Sequence, residues 1–304
     1  MEAALEGGVN RFSLGVQTLN SKVRQNVQRV DGRDAILKRL EKLCSYDNAA
    51  VVIDLIYGFP EQTMDVWEDD LRTAASLPLD GVDCYQLNVF EKSPLAKYIS
   101  LGKLPAAADT AMKADMFAKS VEILTASQWK RLSNNHWRRT NRERNIYNEL
   151  GKSACDCLVF GCGAGGRLAG YSFMMDRKLA DWSTGIDAGH KPVMVLSAPR
   201  PLWHMLRTIS SEMELGAINL KRLAAEFKQP VDTVANDVIE QWISAGLLTR
   251  CGDWLLQTVA GQFWHVTLAQ LLVDIIAKRL PDAQIKMPAG MPSMMGHPGH
   301  SHHG

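Results

Sequence analysis

The stretch AAVVIDLIYGFPEQT, Ala49 to Thr63, decides the reading of the fold. Five of the six residues from Ala49 to Asp54 are apolar and three are β-branched. That composition suits a parallel strand covered on both faces better than a surface strand. A carboxylate at the end of such a run needs a reason. Gly58 and Pro60 then break the pattern, so Asp54 falls near the carboxyl end of a strand, where α/β folds bind their ligands.

Working outward, similar β-rich segments recur at NRFSLGVQ from Asn10, GVDCYQLNVF from Gly81 and CDCLVFGCG from Cys155. Between them, DAILKRLEKLC and DTAMKADMFAKSVEIL place apolar residues at three- and four-residue steps, as helices packed on a sheet do. The alternation predicts an α/β fold, a parallel sheet or barrel of βα units, over residues 1–200. From Pro201 the pattern changes to INLKRLAAEF, VDTVANDVIEQWISAGLL, LTRCGDWLLQTVAG and FWHVTLAQLLVDIIAKRL. Two helices, a hairpin with glycine and a further helix read as a mostly helical, winged-helix-like domain or a small helical lid over 201–280. The few basic residues there argue against nucleic acid as a partner.

At 304 residues, 46% hydrophobic, the chain can bury a substantial core and divide into about two domains. A net charge of +1 gives no general attraction to nucleic acid or anionic membranes. No apolar run approaches the roughly 20 residues that span a bilayer, and MEAALEGGVNRFSLG is not a secretory leader. A cytoplasmic protein without membrane insertion is expected.

The six cysteines are scattered, unlike a disulfide framework. Cys155, Cys157 and Cys162 form C-x-C-x4-C, a spacing that fits neither zinc pairs nor iron–sulfur runs, so buried thiols are expected and no metal site is assigned. The tail 281–304 is rich in Met, His, Pro and Gly and predicts disorder. Its His297, His300, His302 and His303, with Met287, Met291, Met294 and Met295, offer ligands for soft or borderline metals, so metal delivery is one possible role.

Gly161, Gly163 and Gly166 make G-x-G-x-x-G after an apolar run, with Asp181 near the spacing of a ribose-binding acid; a dinucleotide turn and a close backbone approach are both open readings. Gln17 ends the strand beside the one that carries Asp54, offering an amide to a ribose or amino acid, or to its own turn. His136, in LSNNHWRRTNRERN, could donate a proton, meet a metal or be a satisfied structural histidine.

In order, GVNRFSLGVQTLN, VIDLIYGFPEQT, CYQLNVFEKSPLAKY and GCGAGG resemble the coproporphyrinogen dehydrogenase-like branch of the radical S-adenosylmethionine (SAM) enzymes. The resemblance covers about residues 1–280, because AGLLTRCGDWLLQTVAG is similar to that branch's carboxyl-terminal helical domain. KRLSNNHWRRTNRERNIYNELGKSACDCLVFGCGAGGRLAGY and the Met/His tail look most like the anaerobic haem-utilisation subgroup. The resemblance implies a radical SAM barrel, SAM and a [4Fe-4S] cluster as cofactors, and haem or a related tetrapyrrole as substrate. It also implies methyl transfer, opening of the macrocycle to a linear tetrapyrrole with iron release, and an electron donor such as flavodoxin or a flavin reductase. Porphyrinogen oxidation and haem chaperoning are the rivals.

Carried over by motif, Gln17 in GVQ would contact a SAM molecule, Arg29 twelve positions on would meet a carboxylate, and Asp54 in DLIYGFP would be the acid for a second SAM. Asn88 in YQLNVF stands where backbone contacts to that second SAM fall in the family, and Arg167 after GCGAGG where the backbone borders the first. His136 is expected to be a haem-facing acid or iron ligand. The family's C-x3-C-x2-C cluster loop does not occur in this sequence. The chain is therefore expected to be an amino-terminally shortened form, inactive in radical chemistry unless another polypeptide supplies the cluster, with an open edge at its first strand.

Overall fold

The computed structural model describes residues 2–280; the Met/His tail lies outside the described residues. After a short helix α1 (Glu2–Glu6), strands β1 (Arg11–Gln17), β2 (Ala50–Tyr57) and β3 (Gly81–Gln86) pair in parallel. They are linked through α2 (Ser21–Asn26), α3 (Arg33–Ser45) and α4 (Met64–Ser76). β2 ends at Tyr57, just before Gly58 and Pro60 break it, and beyond the acid Leu55 and Tyr57 keep feeding the core. Asp54 is thus inside β2.

Alternation sorts the sheet into two unlike faces. Phe12, Leu14, Val51, Ile53, Leu55, Tyr57, Val82 and Cys84 join the core with Ile36, Leu40 and Leu43 of α3 and Trp67, Leu71 and Ala74 of α4. The steps of three and four residues along each helix give it one apolar face. Thr63 caps α4 by accepting from the Val66 amide. After α5 (Pro94–Ser100), α6 (Thr110–Ala126) packs on α4, and buried Trp67 Nε1 donates to Met116 O at 2.8 Å.

The sheet does not continue as further parallel units. β4 (Lys130–Arg131) and β5 (His136–Arg138) form a small hairpin, and β5 pairs antiparallel with β3, giving the order β1-β2-β3-β5-β4 with β1 on an edge. The strand expected at Cys155 does not form. Its chain makes only an isolated bridge, Cys157 to Arg167, and leaves Leu158 and Phe160 exposed. The edge of β3 is taken by β5, so the run does not extend the sheet there. After α7 (Ile146–Lys152), β6 (Gly165–Leu168), β7 (Tyr171–Met175) and β8 (Val193–Ser197) form a separate antiparallel sheet, with α8 (Leu179–Asp187) between the last two.

A second core gathers Met205, Ile209 and Met213 of α9 (Trp203–Leu215) with Leu268, Leu272 and Ile276 of α14 (His265–Arg279). Around them lie β9 (Ala217–Ile218), α10 (Leu220–Phe227), α11 (Val231–Val234), α12 (Asn236–Ser244), the hairpin β10 (Leu248–Cys251) with β11 (Trp254–Gln257), and α13 (Val259–Phe263). Helices followed by a hairpin that pairs back on β9 make this region winged-helix-like, as expected. It is joined to the first core by Phe117 against Phe263, ring centroids 5.9 Å apart, and by buried Asn134, whose amide donates to Met213 O and Gln257 Oε1.

Candidate functional site

The face of the main sheet opposite the helices carries the chemistry. Alternation turns Arg11, Ser13, Asp54, Asp83, Tyr85 and His136 away from the apolar core. Register then sets Gly15 beside Asp54, Asp54 beside Asp83, and Asp83 beside His136, in one row across four strands. Ser13 Oγ donates to Asp54 Oδ1 at 3.2 Å. His136 lies between two carboxylates, with Nδ1 2.7 Å from Asp83 Oδ1 and Nε2 3.2 Å from Glu143 Oε1. Glu143 in turn accepts from Arg11 Nε at 2.7 Å and from the Asn145 amide at 2.5 Å. Neither carboxylate oxygen lies along a ring N–H direction, so the histidine contacts are ionic more than directional.

Charge settles the protonation of this group. Burial opposes a charged imidazole, but Asp83 and Glu143 outweigh it and push the His136 pKa up to about 9. Burial likewise opposes ionised Glu143, yet His136 and Arg11 hold it down at about 2. Burial, then the neighbouring Asp83, raises Asp54 above its ordinary value, against the pull of Ser13, Arg11 and His136. A protonated His136 and an ionised Glu143 therefore sit near Asp54, a carboxyl group that takes up a proton more readily than usual.

The His136 side chain is 1% exposed, with Asp83 Oδ1 and Glu143 Oε1 as the neighbours of its two ring nitrogens. Any action it has passes through its neighbours.

The second cluster lies at the carboxyl ends of the parallel strands. Gln17 leaves β1 with φ 72°, a left-handed conformation that a non-glycine residue adopts at a cost. Its amide folds back over Gly15, where an added Cβ would stand 2.9 Å from Gln17 Nε2. Arg29 Nη1 donates to Gly15 O at 3.0 Å. Gln17 and Arg29 share the wall of a cavity of about 320 Å³ with Ile56, Phe59, Leu87 and Tyr98. An amide and a guanidinium over an apolar wall suit a ligand with hydroxyls, a carboxylate and a flat ring.

The structure thus brings Gln17 to Arg29 and Asp54 to His136, as two groups. Asp54 does not line the cavity. Asn88 follows Leu87 of the cavity wall and is exposed. Arg167 is in β6, with its guanidinium donating to Ser153 O and Cys155 O, apart from both groups. The G-x-G-x-x-G run is not a dinucleotide turn, because it leads into the β6–β7 hairpin and not into a helix. A Cβ on Gly166 would stand 2.5 Å from Cys157 O, so the glycine serves a close approach of the chain to itself.

Asp83, Glu143 and Arg11 escaped the sequence reading. Asp83 was open to detection, since GVDCYQ alternates an acid with Val82 and Cys84 as Asp54 does with Ile53 and Leu55. Glu143 was not, because 132 residues separate it from Arg11.

The residues present do not fit an iron–sulfur cluster. The sequence holds no C-x3-C-x2-C run, and among the described residues no three His, Cys, Asp or Glu side chains are grouped to hold a metal.

No family model matches the chain. It is 37% identical over 281 residues to the anaerobilin synthase of Escherichia coli O157:H7, an alignment covering 91% of this chain and 61% of that protein. To an oxygen-independent coproporphyrinogen III oxidase of Synechocystis it is 24% identical over 278 residues, covering 84% and 58%. To the heme chaperone HemW of Buchnera aphidicola subsp. Schizaphis graminum it is 24% identical over 280 residues, covering 88% and 70%. The chain thus spans about three-fifths of the length of the first two relatives. Its fold matches that of coproporphyrinogen III oxidase (HemN) from Escherichia coli, a radical SAM enzyme, with TM-score 0.72 and 17% identity over 90% of this chain and 65% of that one. The chain is thus similar in sequence to anaerobilin synthase and similar in fold to the coproporphyrinogen III oxidase HemN.

Proposed function

We propose that this chain serves the anaerobic breakdown of haem: SAM-dependent methyl transfer and opening of the macrocycle to a linear tetrapyrrole, with release of iron. The observation that carries this reading is the 37% identity to anaerobilin synthase across 91% of the chain. The cavity at the strand ends supports it. There Arg29 would clamp the methionyl carboxylate of SAM, the Gln17 amide would bond a ribose hydroxyl, and Ile56, Phe59 and Leu87 would pack on the adenine. When bound, SAM supplies the methyl group and the precursor of a 5′-deoxyadenosyl radical. Asn88 adjoins this wall and offers its backbone to the same ligand. Arg167 is left out of the assignment because its backbone N–H and C=O are both paired with Cys157.

His136 acts as the buried acid of the site, working through Asp83 and not by touching substrate. Its proton is held by two carboxylates, while Asp54, one strand away from Asp83, is biased toward taking a proton up. The electron-donor partner that goes with this reading is a flavodoxin or a flavin reductase. A cytoplasmic location goes with this reading; among the described residues no helix is long and apolar enough to cross a membrane.

Anaerobic incubation with haem, SAM, reductant and a cluster-bearing segment of such a relative tests the proposal by its product. A methylated linear tetrapyrrole supports it. A decarboxylated porphyrinogen, or haem returned unchanged, replaces it with the coproporphyrinogen oxidase or chaperone reading.

A further inference from the structure

Three polar side chains beneath the cavity are almost wholly buried and spend their hydrogen bonds on two strand exits. Arg24, 5% exposed, donates to Val16 O at 2.5 Å, Thr18 O at 2.9 Å and Asp31 O at 2.7 Å. Asp70, 0% exposed on α4, accepts from Thr18 Oγ1 at 2.6 Å and from the Leu19 amide at 2.8 Å. Gln62, 2% exposed, accepts from the Gly58 and Phe59 amides and donates to Ile56 O. Burying a charge or an amide is costly unless every polar atom is satisfied, so such groups are kept where they fix one backbone geometry.

The geometry they fix is that of the cavity. Arg24 and Asp70 hold the residues on either side of Gln17, whose left-handed φ no local preference supplies. Gln62 holds the exit of β2, which carries Ile56 and Phe59 of the opposite wall. Arg24 lies in α2, and the chain that leaves α2 runs through Val27 and Gln28 of the wall to Arg29. Arg24 and Asp70, which meet at Thr18, thus tie the amide and the guanidinium to α2 and α4, and Gln62 separately fixes the apolar wall.

We propose that Arg24, Asp70 and Gln62 are the positioning residues of this cavity, holding Gln17 and Arg29 at the separation a SAM molecule requires. This rests on the reading of the cavity as a SAM site. None of the three lines it, so their effect on a ligand is indirect.

The test is calorimetric titration of the full chain with S-adenosyl-L-homocysteine, well below the unfolding transition. Wild type is expected to bind and Arg29→Ala to lose binding; a wild type that does not bind removes both the SAM reading and this proposal. With binding established, Asp70→Ala is expected to weaken affinity by about tenfold or more, the scale seen when outer support of a binding group is removed. Asp70→Asn, which keeps an acceptor for the Leu19 amide and a polar partner for Thr18, is expected to restore most of it. A purely structural role would lower the melting temperature of Asp70→Ala and leave its affinity at the wild-type value, and that result overturns the proposal while the Arg29→Ala result keeps the SAM reading. If Asp70→Ala fails to fold, Thr18→Val decides in its place: weaker binding supports the clamp, unchanged affinity refutes it.

Discussion

Replacing His136 by glutamine removes the positive charge between Asp83 and Glu143 while keeping a side chain of similar reach. In the folded protein the imidazole pKa rises from 6.5 to about 9, a difference worth roughly 3 kcal/mol at about 1.4 kcal/mol per unit. The sign follows from the direction. A group whose folded pKa is raised contributes fully below its unfolded value, so wild type keeps this stability at pH 6 and loses it as pH rises from 6.5 through 9. His136→Gln has no such proton to lose. It is expected to be less stable than wild type by about 3 to 5 kcal/mol at pH 6, the cost of leaving buried carboxylates without a partner. That gap should narrow by roughly 3 kcal/mol by pH 9. Urea unfolding followed by tryptophan fluorescence, with Trp137 buried next to the site, measures both curves. Parallel pH dependences of wild type and variant would refute the charged triad.

Glu143→Gln is expected to lower the His136 pKa, because one of the two carboxylates that outweigh burial is gone; NMR titration of the imidazole reads it, and an unshifted midpoint contradicts the assignment. Wild type should also lose the Glu143 contribution as pH falls from about 4.3 toward 2, and this acid loss should be absent in Glu143→Gln. Gly15→Ala should displace the Gln17 amide and weaken S-adenosyl-L-homocysteine binding about tenfold with little change in melting temperature, and equal affinity would mean that the amide is not a ligand-binding group. Trp67→Ala empties the centre of the first core and breaks the bond to Met116 O, so denaturant unfolding should show a loss of about 3 to 5 kcal/mol.

The candidate site was legible where its residues are close in sequence. Gln17 and Arg29 are joined by one short helix, and a strand ending in an amide followed by an arginine could be matched by pattern alone. Asp54 announced itself by its place in an apolar run, although the run extended past it to Tyr57. The histidine site was not legible in this way. His136 was noticed for its residue type, but its setting depends on β5 pairing antiparallel with β3 and on a loop that carries Glu143 beneath Arg11. Hydrophobic period reports which face a residue takes and says nothing of which strand lies beside it.

The sequence by itself determined the helix-covered parallel strands around Asp54, a second, mostly helical core, and the likeness to anaerobilin synthase, because period and motif order are local properties of the chain. Tertiary structure alone decided that the apolar run at Cys155 stays out of the sheet, that His136 is enclosed between carboxylates, and that Arg24, Asp70 and Gln62 converge on the strand exits. The physical reason is the same in each case. Edge occupancy, ion pairing and the satisfaction of buried polar groups depend on which distant segments meet, and that is fixed only when the whole chain packs.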